Sequence, residues 1–357
     1  MKKKLTVMLI LAAVFFQLMS LVSCSREKEG GDVHIFYYNY SDTYITGVRS
    51  ALSKQLDKND GKYQNYDGNN NQTTQTEQIR TAVTKGAKVL LVNLVNTGSA
   101  DAATAVINEA KTAGVPVVFF NREVPDSVVK SYDKCAFVGT DAAEAGHLQG
   151  EMIGEYVKEN FDKLDLNKDG YISYILFKGE EGNNEAIYRT KYAVEDADKI
   201  LTAAGKNKLK FYDPSNPNKY LVDQAGSWSA SAANQYMTTA LASYNDANKN
   251  MIELVICNND GMAEGAITAL NTVGYNTGKG SKSIPVFGVD ATDAAVNLIK
   301  NGKMAGTIKQ DSESMAKILA RLADNVVSGK ALLDGTDDLH KDEGVAKIRI
   351  PYEKYLG

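Results

Sequence analysis

The segment from Asp165 to Ser173 carries oxygen-bearing side chains at the spacing that a bound calcium ion requires. Asp165, Asn167, Asp169 and Ser173 stand at positions 1, 3, 5 and 9 of an EF-hand calcium loop. Gly170 at position 6 permits the tight turn of such a loop, and the main-chain carbonyl of Tyr171 at position 7 is a further ligand. The spacing therefore predicts a calcium site.

Position 12 of the same loop lacks the Glu that normally binds calcium through both carboxylate oxygens. Leu176 stands there, inside an apolar run. Either the last ligands come from elsewhere in the fold, or the segment is an Asp/Asn/Gly turn ahead of a strand. The spacing alone leaves both interpretations open.

A second group of polar residues stands after the apolar runs that we interpret as strands. Its members are residues 39–44, 121–123, 182–185 with Arg189 one turn on, 258–260, Asp290 and 309–311. Amides, carboxylates and a guanidinium form paired hydrogen bonds with vicinal hydroxyl groups, and the rings of Tyr44 and Trp228 suit the apolar C–H face of a sugar. Each polar residue alone is more typical of a helix N-cap. Together they predict a polar cleft with aromatic walls.

The elements that must position these residues alternate along the chain. The predicted strands are 33–38, 89–94, 115–120, 136–139, 171–177, 209–212, 252–257, 284–289 and 304–308. The predicted helices are 44–56, 76–85, 100–113, 142–160, 186–203, 229–244, 262–270 and 291–300. Near-continuous apolar strands joined by helices indicate parallel sheets covered on both faces. In such sheets ligands bind beyond the carboxyl ends of the strands, where the polar group stands.

The first 24 residues have the features of a targeting segment. Lys2 to Lys4 are basic, 5–18 are mostly apolar, and Leu21 to Cys24 form a cleavage site. The apolar run is too short for a transmembrane helix. The site resembles a bacterial lipobox, in which Cys24 is diacylated and becomes the new N-terminus; the alternative is an ordinary secretory signal with an incidental Cys. Residues 25–32 are a predicted flexible tether.

The overall composition excludes some classes of partner and site. The chain has 40 Lys and Arg against 44 Asp and Glu, a net charge of -4 that provides no basic field for nucleic acid. Only three His are present, which argues against a His-based zinc site. Cys135 and Cys257 lie in apolar runs, so we predict two buried free thiols. A disulfide between them is the alternative for an exported protein.

The chain resembles the periplasmic glucose/galactose-binding proteins, which are type I solute-binding proteins of ABC importers. The resemblance extends from about residue 33 to 352 and includes the loop 165–173. Its other motifs are DGNNNQ at 67–72, PVVFFN at 116–121, SYDK at 131–134, VGTD at 138–141, NND at 258–260 and IPVFGVD at 284–290.

The resemblance implies roles for particular residues. In that family a distant Glu, which matches Glu253 here, completes the calcium loop, while Ser173 replaces a Gln. Six sugar-binding residues match unchanged: Asp42, Asn121, Arg189, Trp228, Asn259 and Asp290. Four differ: Tyr44 replaces a Phe, Asn183 a His, Glu185 an Asp and Gln310 an Asn. The longer Glu185 and Gln310 can move a hydrogen bond by about an ångström, which bears on the preference between glucose and galactose.

The resemblance also implies the architecture. We expect an α/β fold with two Rossmann-like lobes, whose parallel sheets are joined by a three-segment hinge. The first lobe would contain 33–139 and 312–346, and the second 141–309 and 350–357. The chain would cross between lobes near 139–141, 309–312 and 347–350. Sugar would bind in the cleft, and the lobes would close by hinge motion.

The implied function is extracytoplasmic binding of glucose or galactose and its delivery to an ABC transporter permease. We expect a monomer without enzymatic activity, anchored to the cell membrane only through its lipid, with structural calcium. One alternative is a sensor that presents the closed form to a chemoreceptor or histidine kinase. Another is a glycosidase that uses Asp42, Glu185 or Asp290. The signal segment and the lack of an N-terminal helix-turn-helix exclude a sugar-responsive repressor.

Overall fold

The computed structural model describes residues 31–357, which form two lobes. The predicted signal peptide at 1–24, its lipidation residue Cys24 and residues 25–30 of the predicted tether lie outside the described residues. Within 31–357, no helix combines the length and the apolar character needed to cross a bilayer.

The first lobe is built on a six-stranded parallel sheet. Its strands, in spatial order, are β12 (Lys347–Arg349), β5 (Cys135–Gly139), β4 (Val117–Phe120), β3 (Val89–Val92), β1 (Val33–Tyr37) and β2 (Tyr63–Asp67). Its helices are α1 (Thr43–Lys58), α2 (Gln72–Thr84), α3 (Asp101–Ala113), α4 (Asp126–Lys130) and α10 (Ser312–Val327). Helices α1 and α10 pack on one face of the sheet, and α2, α3 and α4 on the other.

The second lobe repeats this plan with seven strands. Six of them, in spatial order, are β13 (Glu353–Tyr355), β11 (Gly306–Lys309), β10 (Val286–Asp290), β9 (Leu254–Cys257), β6 (Ser173–Lys178) and β7 (Lys210–Phe211), and β8 (Leu221–Val222) also pairs with β6. Its helices are α5 (Ala142–Leu164), α6 (Asn184–Ala203), α7 (Ala230–Ser243), α8 (Asp260–Thr272) and α9 (Asp293–Lys300). Helices α5 and α6 cover one face, and α7, α8 and α9 the other.

The α/β fold with two lobes is confirmed, and each of the nine predicted strands is present in part. Four strands were not predicted: β2, β8, β12 and β13. The apolar pattern did not predict β2 because Gln64 and Asn65 interrupt it. These polar residues are tolerated because β2 is an edge strand whose residues are mostly partly exposed. The expectation of wholly parallel sheets was wrong at β13, which pairs antiparallel with β11 at the edge.

The chain passes between the lobes three times. The first passage lies between β5 and α5, and the second between β11 and α10. The third falls after Arg349, within the expected range 347–350, because β12 pairs with β5 in the sheet of the first lobe. The carboxyl ends of both sheets' parallel strands consequently face the space between the lobes.

Helices α5 and α6 approach each other closely because α5 presents three glycines at intervals of one turn. A Cβ on Gly146 would lie 2.4 Å from the main-chain oxygen of Tyr188, and one on Gly150 would lie 2.4 Å from that of Tyr192. A Cβ on Gly154 would meet Ile200 at 2.8 Å. This contact fixes α6, whose first turns carry candidate site residues, against the rest of the second lobe.

Both cysteines of the described part of the chain are buried free thiols, as predicted. Burial raises the pKa of the Cys135 thiol to about 12 and also raises that of Cys257. Neither thiol is therefore ionised at neutral pH, which fits a packing role.

Candidate functional site

A narrow cavity of about 40 Å³ lies between the lobes. The structure brings together all ten predicted cleft residues in its walls: Asp42, Tyr44, Asn121, Asn183, Glu185, Arg189, Trp228, Asn259, Asp290 and Gln310. Tyr38, Ile45 and Arg122 also line it. Arg122 stood among the predicted strand exits without a role in the site, whereas Tyr38, which follows β1, and Ile45 were not predicted.

Three of the lining residues also cap helices. Asp42, Asn183 and Asn259 are the N-caps of α1, α6 and α8. In each, a side-chain oxygen accepts a hydrogen bond from the main-chain N–H three residues later, at 2.9, 3.0 and 2.9 Å. The cap interpretation and the cleft interpretation are therefore both correct, because the cap fixes a side chain that also borders the cavity.

Arg189 on α6 lies at the centre of the polar wall. Its Nη2 donates to Gln310 Oε1 at 3.3 Å and to the Tyr352 hydroxyl at 2.9 Å, and its Nη1 lies 4.0 Å from Asp290 Oδ1. Burial alone would lower the pKa of Arg189, but Tyr352, Asp290 and Glu185 raise it above its usual value. The guanidinium is therefore a permanent cation that orients the acceptors around it.

Two buried carboxyl groups border the same cavity. Burial raises the pKa of Asp290 well above its ordinary value, while Arg189 opposes this effect. Burial likewise raises the pKa of Glu185, whose Oε1 accepts from the main-chain N–H of Glu123 at 3.2 Å. Glu123 belongs to the first lobe and Glu185 to the second, so this bond crosses the cleft.

Three lining residues have backbone angles that side chains disfavour. The φ angles of Asn121, Trp228 and Asp290 are 61°, 54° and 129°. Such conformations cost about 1–3 kcal/mol each and concentrate at functional sites. The strained residues lie at the ends of β4 and β10 and just before α7, where the chain leaves these elements beside the cavity.

Aromatic rings come from both lobes. Tyr44 on α1 and Trp228 before α7 are buried, with 6% and 8% exposure. The Trp228 ring packs on the main chain at Gly179, where a Cβ would lie 2.1 Å from the indole. Gly179 is thus required for this ring position, and the two rings provide apolar walls of the kind that cover sugar C–H groups.

Four residues of this cavity hold a buried polar atom that has no hydrogen-bond partner. These atoms are Arg122 Nε, Glu185 Oε2, Arg189 Nε and Gln310 Nε2. A buried unpaired polar atom costs about 1–3 kcal/mol. Three donors and one acceptor among the residues that line one cavity fit a small ligand rich in hydroxyl groups, because a hydroxyl both donates and accepts.

A larger cavity of about 410 Å³ lies on the hinge, beside α10. Its charged residues pair with each other, as in Lys309–Glu353 at 3.2 Å and Arg321–Asp338 at 3.6 Å. Within the described residues, no unpartnered buried side-chain atom belongs to its lining. The cleft between the lobes is therefore the better candidate for a polar ligand.

The predicted calcium loop has a curled main chain. Asp165 accepts hydrogen bonds from the main-chain N–H groups of Asp169 and Gly170, both at 3.1 Å. Asn167 Oδ1 accepts from Asp169 N at 2.9 Å, and Asp169 Oδ1 accepts from Tyr171 N at 2.9 Å. These bonds tie oxygen atoms of the three side chains to the main chain of the loop.

Glu253 faces this loop from the start of β9. Its Oε1 accepts from Leu166 N at 2.7 Å, and its Oε2 accepts from Ser173 N at 2.8 Å and Ser173 Oγ at 3.1 Å. Burial raises the pKa of Glu253, and hydrogen bonds from Ser173 and the loop N–H groups oppose the rise.

The carboxylates of this loop do not form a metal cluster by themselves. In residues 31–357, no group of three or more His, Cys, Asp and Glu side chains is gathered closely enough to hold a metal ion. A cation here would also need the Asn167 amide and the Tyr171 carbonyl, which are the uncharged oxygen ligands that calcium accepts.

Comparisons with known proteins agree with this geometry. The model of the periplasmic binding protein domain family matches residues 33–331. The D-galactose/methyl-galactoside binding periplasmic protein of Haemophilus influenzae is 36% identical over 321 residues, which cover 90% of this chain and 88% of that protein.

Solved structures show the same fold. A solute-binding protein of Clostridium phytofermentans with bound β-D-glucose superposes with a TM-score of 0.67 at 22% identity, covering 91% of this chain and 93% of that one. A Bacillus halodurans solute-binding protein with bound myo-inositol superposes with a TM-score of 0.67 at 23% identity, covering 92% of this chain and 96% of that one.

Proposed function

This chain belongs to the periplasmic binding protein domain family, and we propose that it binds an aldohexopyranose outside the cytoplasm and delivers it to an ABC transporter permease. The sugar would be glucose or galactose. It would enter while the lobes are apart, and their closure would enclose it in the cleft.

The observation that carries this proposal is the set of unpartnered polar atoms on residues that line one cavity together with Tyr44 and Trp228. Arg122, Glu185, Arg189 and Gln310 each hold such an atom. A pyranose offers several hydroxyl groups around an apolar ring, so one ligand can satisfy these atoms and also contact the aromatic rings. The galactose-binding relative from Haemophilus influenzae supports the same choice of ligand.

Binding without catalysis is the better interpretation of the cavity. Asp42 already accepts a hydrogen bond from the Tyr38 hydroxyl at 2.6 Å and caps α1, while Asp290 lies against Arg189. Carboxylates held in this way orient hydroxyl groups well but are constrained as proton donors or nucleophiles. The matched relatives with sugar-binding names are carriers rather than hydrolases.

The proposal is tested by calorimetric titration of the purified protein with a panel of monosaccharides. We expect saturable binding of glucose, galactose or both at one site per chain, with weaker binding of pentoses. A parallel incubation with nitrophenyl glucosides and galactosides should release no nitrophenol. The proposal fails if no hexose binds, or if glycosides are hydrolysed at enzymatic rates.

We further propose that the loop 165–173 and Glu253 hold a structural calcium ion. Asp165, Asn167 and Asp169 would supply side-chain oxygens, Tyr171 its carbonyl and Glu253 both carboxylate oxygens, with Ser173 or a water as the remaining ligand. The ion would offset the repulsion between the three carboxylates and tie the end of α5 to the start of β9. Chelation should lower the melting temperature and added calcium should restore it, since the ion binds the folded state.

We also propose that the chain is exported and anchored by lipid on Cys24. The basic, apolar and Cys-containing pattern of 1–24 supports this proposal. A Cys24→Ser variant should then be released from the membrane fraction, whereas the unchanged protein should sediment with it. An unchanged distribution would mean that Cys24 carries no anchor.

A further inference from the structure

An ion pair joins the two lobes at the edge of the cleft. Arg122 follows β4 of the first lobe, and Glu180 follows β6 of the second. Arg122 Nη2 lies 2.6 Å from Glu180 Oε2, and the two side chains are only 5% and 20% exposed. The pair is therefore largely shielded from solvent, where a charge-assisted hydrogen bond is stronger than at the surface.

Each partner also contacts residues of its own lobe. Arg122 Nη2 also donates to the carbonyl oxygen of Val95 at 2.9 Å, and its guanidinium lies 4.2 Å from the ring centroid of Tyr38. Glu180 Oε2 accepts from Trp228 Nε1 at 3.4 Å. The ion pair thus connects Tyr38 to Trp228, two residues that line opposite sides of the sugar cavity.

Other hydrogen bonds across the cleft join groups of which at most one is charged, as where Glu185 Oε1 accepts from the main-chain N–H of Glu123 at 3.2 Å. Asn70 Nδ2 donates to the carbonyl oxygen of Ala225 at 2.5 Å, and Asn183 Nδ2 donates to Thr97 Oγ1 at 3.3 Å. Hydrogen bonds between neutral groups are roughly half as strong as those between charged groups. Arg122 and Glu180 consequently form the strongest contact of this set.

From this geometry we propose that Arg122 and Glu180 form a latch that sets how long a bound sugar stays enclosed. Because the partners belong to different lobes, the bond exists only when the lobes are closed, and it stabilises the closed form alone. Glu180 does not line the cavity and acts as a positioning residue. The inference rests on the proposed function, since the latch acts on a bound sugar.

The latch should control release and leave capture unchanged. Sugar enters while the lobes are apart, and the pair is not yet formed at that stage. Opening must break the pair and expose both charges again. Removing one partner of a buried charged pair acts mainly on the dissociation rate.

Stopped-flow measurement of sugar release tests the latch, using the panel monosaccharide that the unaltered protein binds most tightly. We expect Glu180→Ala to release this sugar faster by about thirtyfold or more, with an association rate within about threefold of the original. Glu180→Gln keeps a hydrogen-bond acceptor but no charge, so its dissociation rate should lie between those of the unaltered protein and Glu180→Ala. Circular dichroism and a thermal melt confirm that each variant is folded.

The neighbouring Glu181 provides the matched control. Its carboxylate binds Lys178 and, at 2.8 Å, the Tyr220 hydroxyl, all within the second lobe. Glu181→Ala should leave the dissociation rate unchanged, because its contacts persist whether the lobes are open or closed. Equal acceleration in the Glu180 and Glu181 variants would contradict the latch and indicate a general effect of charge.

A double-mutant cycle separates the pair from direct sugar contacts of Arg122. If the two residues act through each other, Glu180→Ala added to Arg122→Ala should change the dissociation rate by less than about threefold. Full additivity of the two effects, or an unaltered rate in Glu180→Ala, would overturn the latch while leaving sugar binding intact. Failure of the unaltered protein to bind any monosaccharide would overturn both proposals.

Discussion

Asp42, Asn183 and Asn259 show how one side chain serves local structure and a binding site together. Each uses one oxygen to begin a helix and borders the cavity at the same time. Each cap is a local feature that the residue type predicts. The convergence of the three caps on one cavity depends on the fold, and it was predictable because parallel strands end along one edge of a sheet.

At the residue scale, Trp228 should contribute strongly to sugar affinity. Its indole forms a wall of the cavity and lies 5.7 Å from the Arg189 guanidinium. We expect Trp228→Ala to weaken hexose binding by about 1–3 kcal/mol through loss of aromatic contact. Trp228→Phe, which keeps an aromatic face, should lose less in the same calorimetric titration. Equal losses in both variants would show that stacking is not the cause.

Glu185 and Gln310 should influence the choice between glucose and galactose. Both have an unpartnered polar atom in the cavity, and each is one methylene longer than the residue of the proteins that this chain resembles. We expect the combined change Glu185→Asp and Gln310→Asn to alter the ratio of the two affinities by about tenfold, roughly the effect of one displaced hydrogen bond. If the ratio is unchanged, other residues determine the preference between glucose and galactose.

At the element scale, the sequence predicted the central strands and their polar exits but not the strained backbone at those exits. The φ angles of Asn121 and Asp290 depend on the pairing of β4 and β10 with distant strands, which no local pattern encodes. Arg122 stood at a predicted strand exit, but its contact across the cleft was not predicted, for a related reason. Its role requires Glu180, 58 residues away, to lie opposite it.

Glu253 should determine calcium affinity at the junction of α5 with β9. Glu253→Gln removes a charge and the bidentate grip, so we expect most of the calcium-dependent rise in melting temperature to disappear. Ser173→Ala should retain most of that rise, because its hydroxyl bonds to Glu253 and to Met251 and is the weakest candidate ligand. A calcium response in Glu253→Gln equal to that of the unaltered protein would rule out this ligand set.

The close packing of α5 on α6 should tolerate no side chain at Gly150. A Cβ there would lie 2.4 Å from a main-chain oxygen, so the helices must separate. We expect Gly150→Ala to lower the free energy of unfolding by about 1–3 kcal/mol in denaturant titrations. Gly47→Ala on α1 is the control, because its Cβ would meet the nearest atom at 3.7 Å. That change should be neutral or should stabilise by up to about 1 kcal/mol.

At the scale of the whole molecule, stability should depend on the ionisation of Asp260 in α8. Burial raises the pKa of Asp260 to about 7 from an ordinary value of 3.8, although Thr307 and Thr292 donate hydrogen bonds to it. The folded protein therefore retains a proton that the unfolded chain loses as pH rises. The contribution of this group to the free energy of unfolding should fall between pH 3.8 and about 7.

Denaturant titrations from pH 4 to 8 on sugar-free protein check this dependence. Asp260→Asn removes the titrating group, so its free energy of unfolding should decline less with rising pH than that of the unaltered protein. The difference between the two curves should grow up to about pH 7 and then stay constant. Parallel curves across this window would contradict a raised pKa at this residue.

The two-lobe architecture was predictable from the alternation of strands and helices together with the family resemblance. The closed arrangement was not, because it depends on contacts between side chains of different lobes, such as Arg122 with Glu180. Local patterns carry no information on such pairs.

Fluorescence of Trp228 is the most direct test of the central claim that a hexose binds between the lobes. Trp228 is the single tryptophan of the chain and lines the cavity, so its emission reports on this site alone. We expect glucose or galactose to change its emission saturably, with a midpoint equal to the calorimetric dissociation constant. Emission that stays constant up to millimolar concentrations of both sugars would contradict the account.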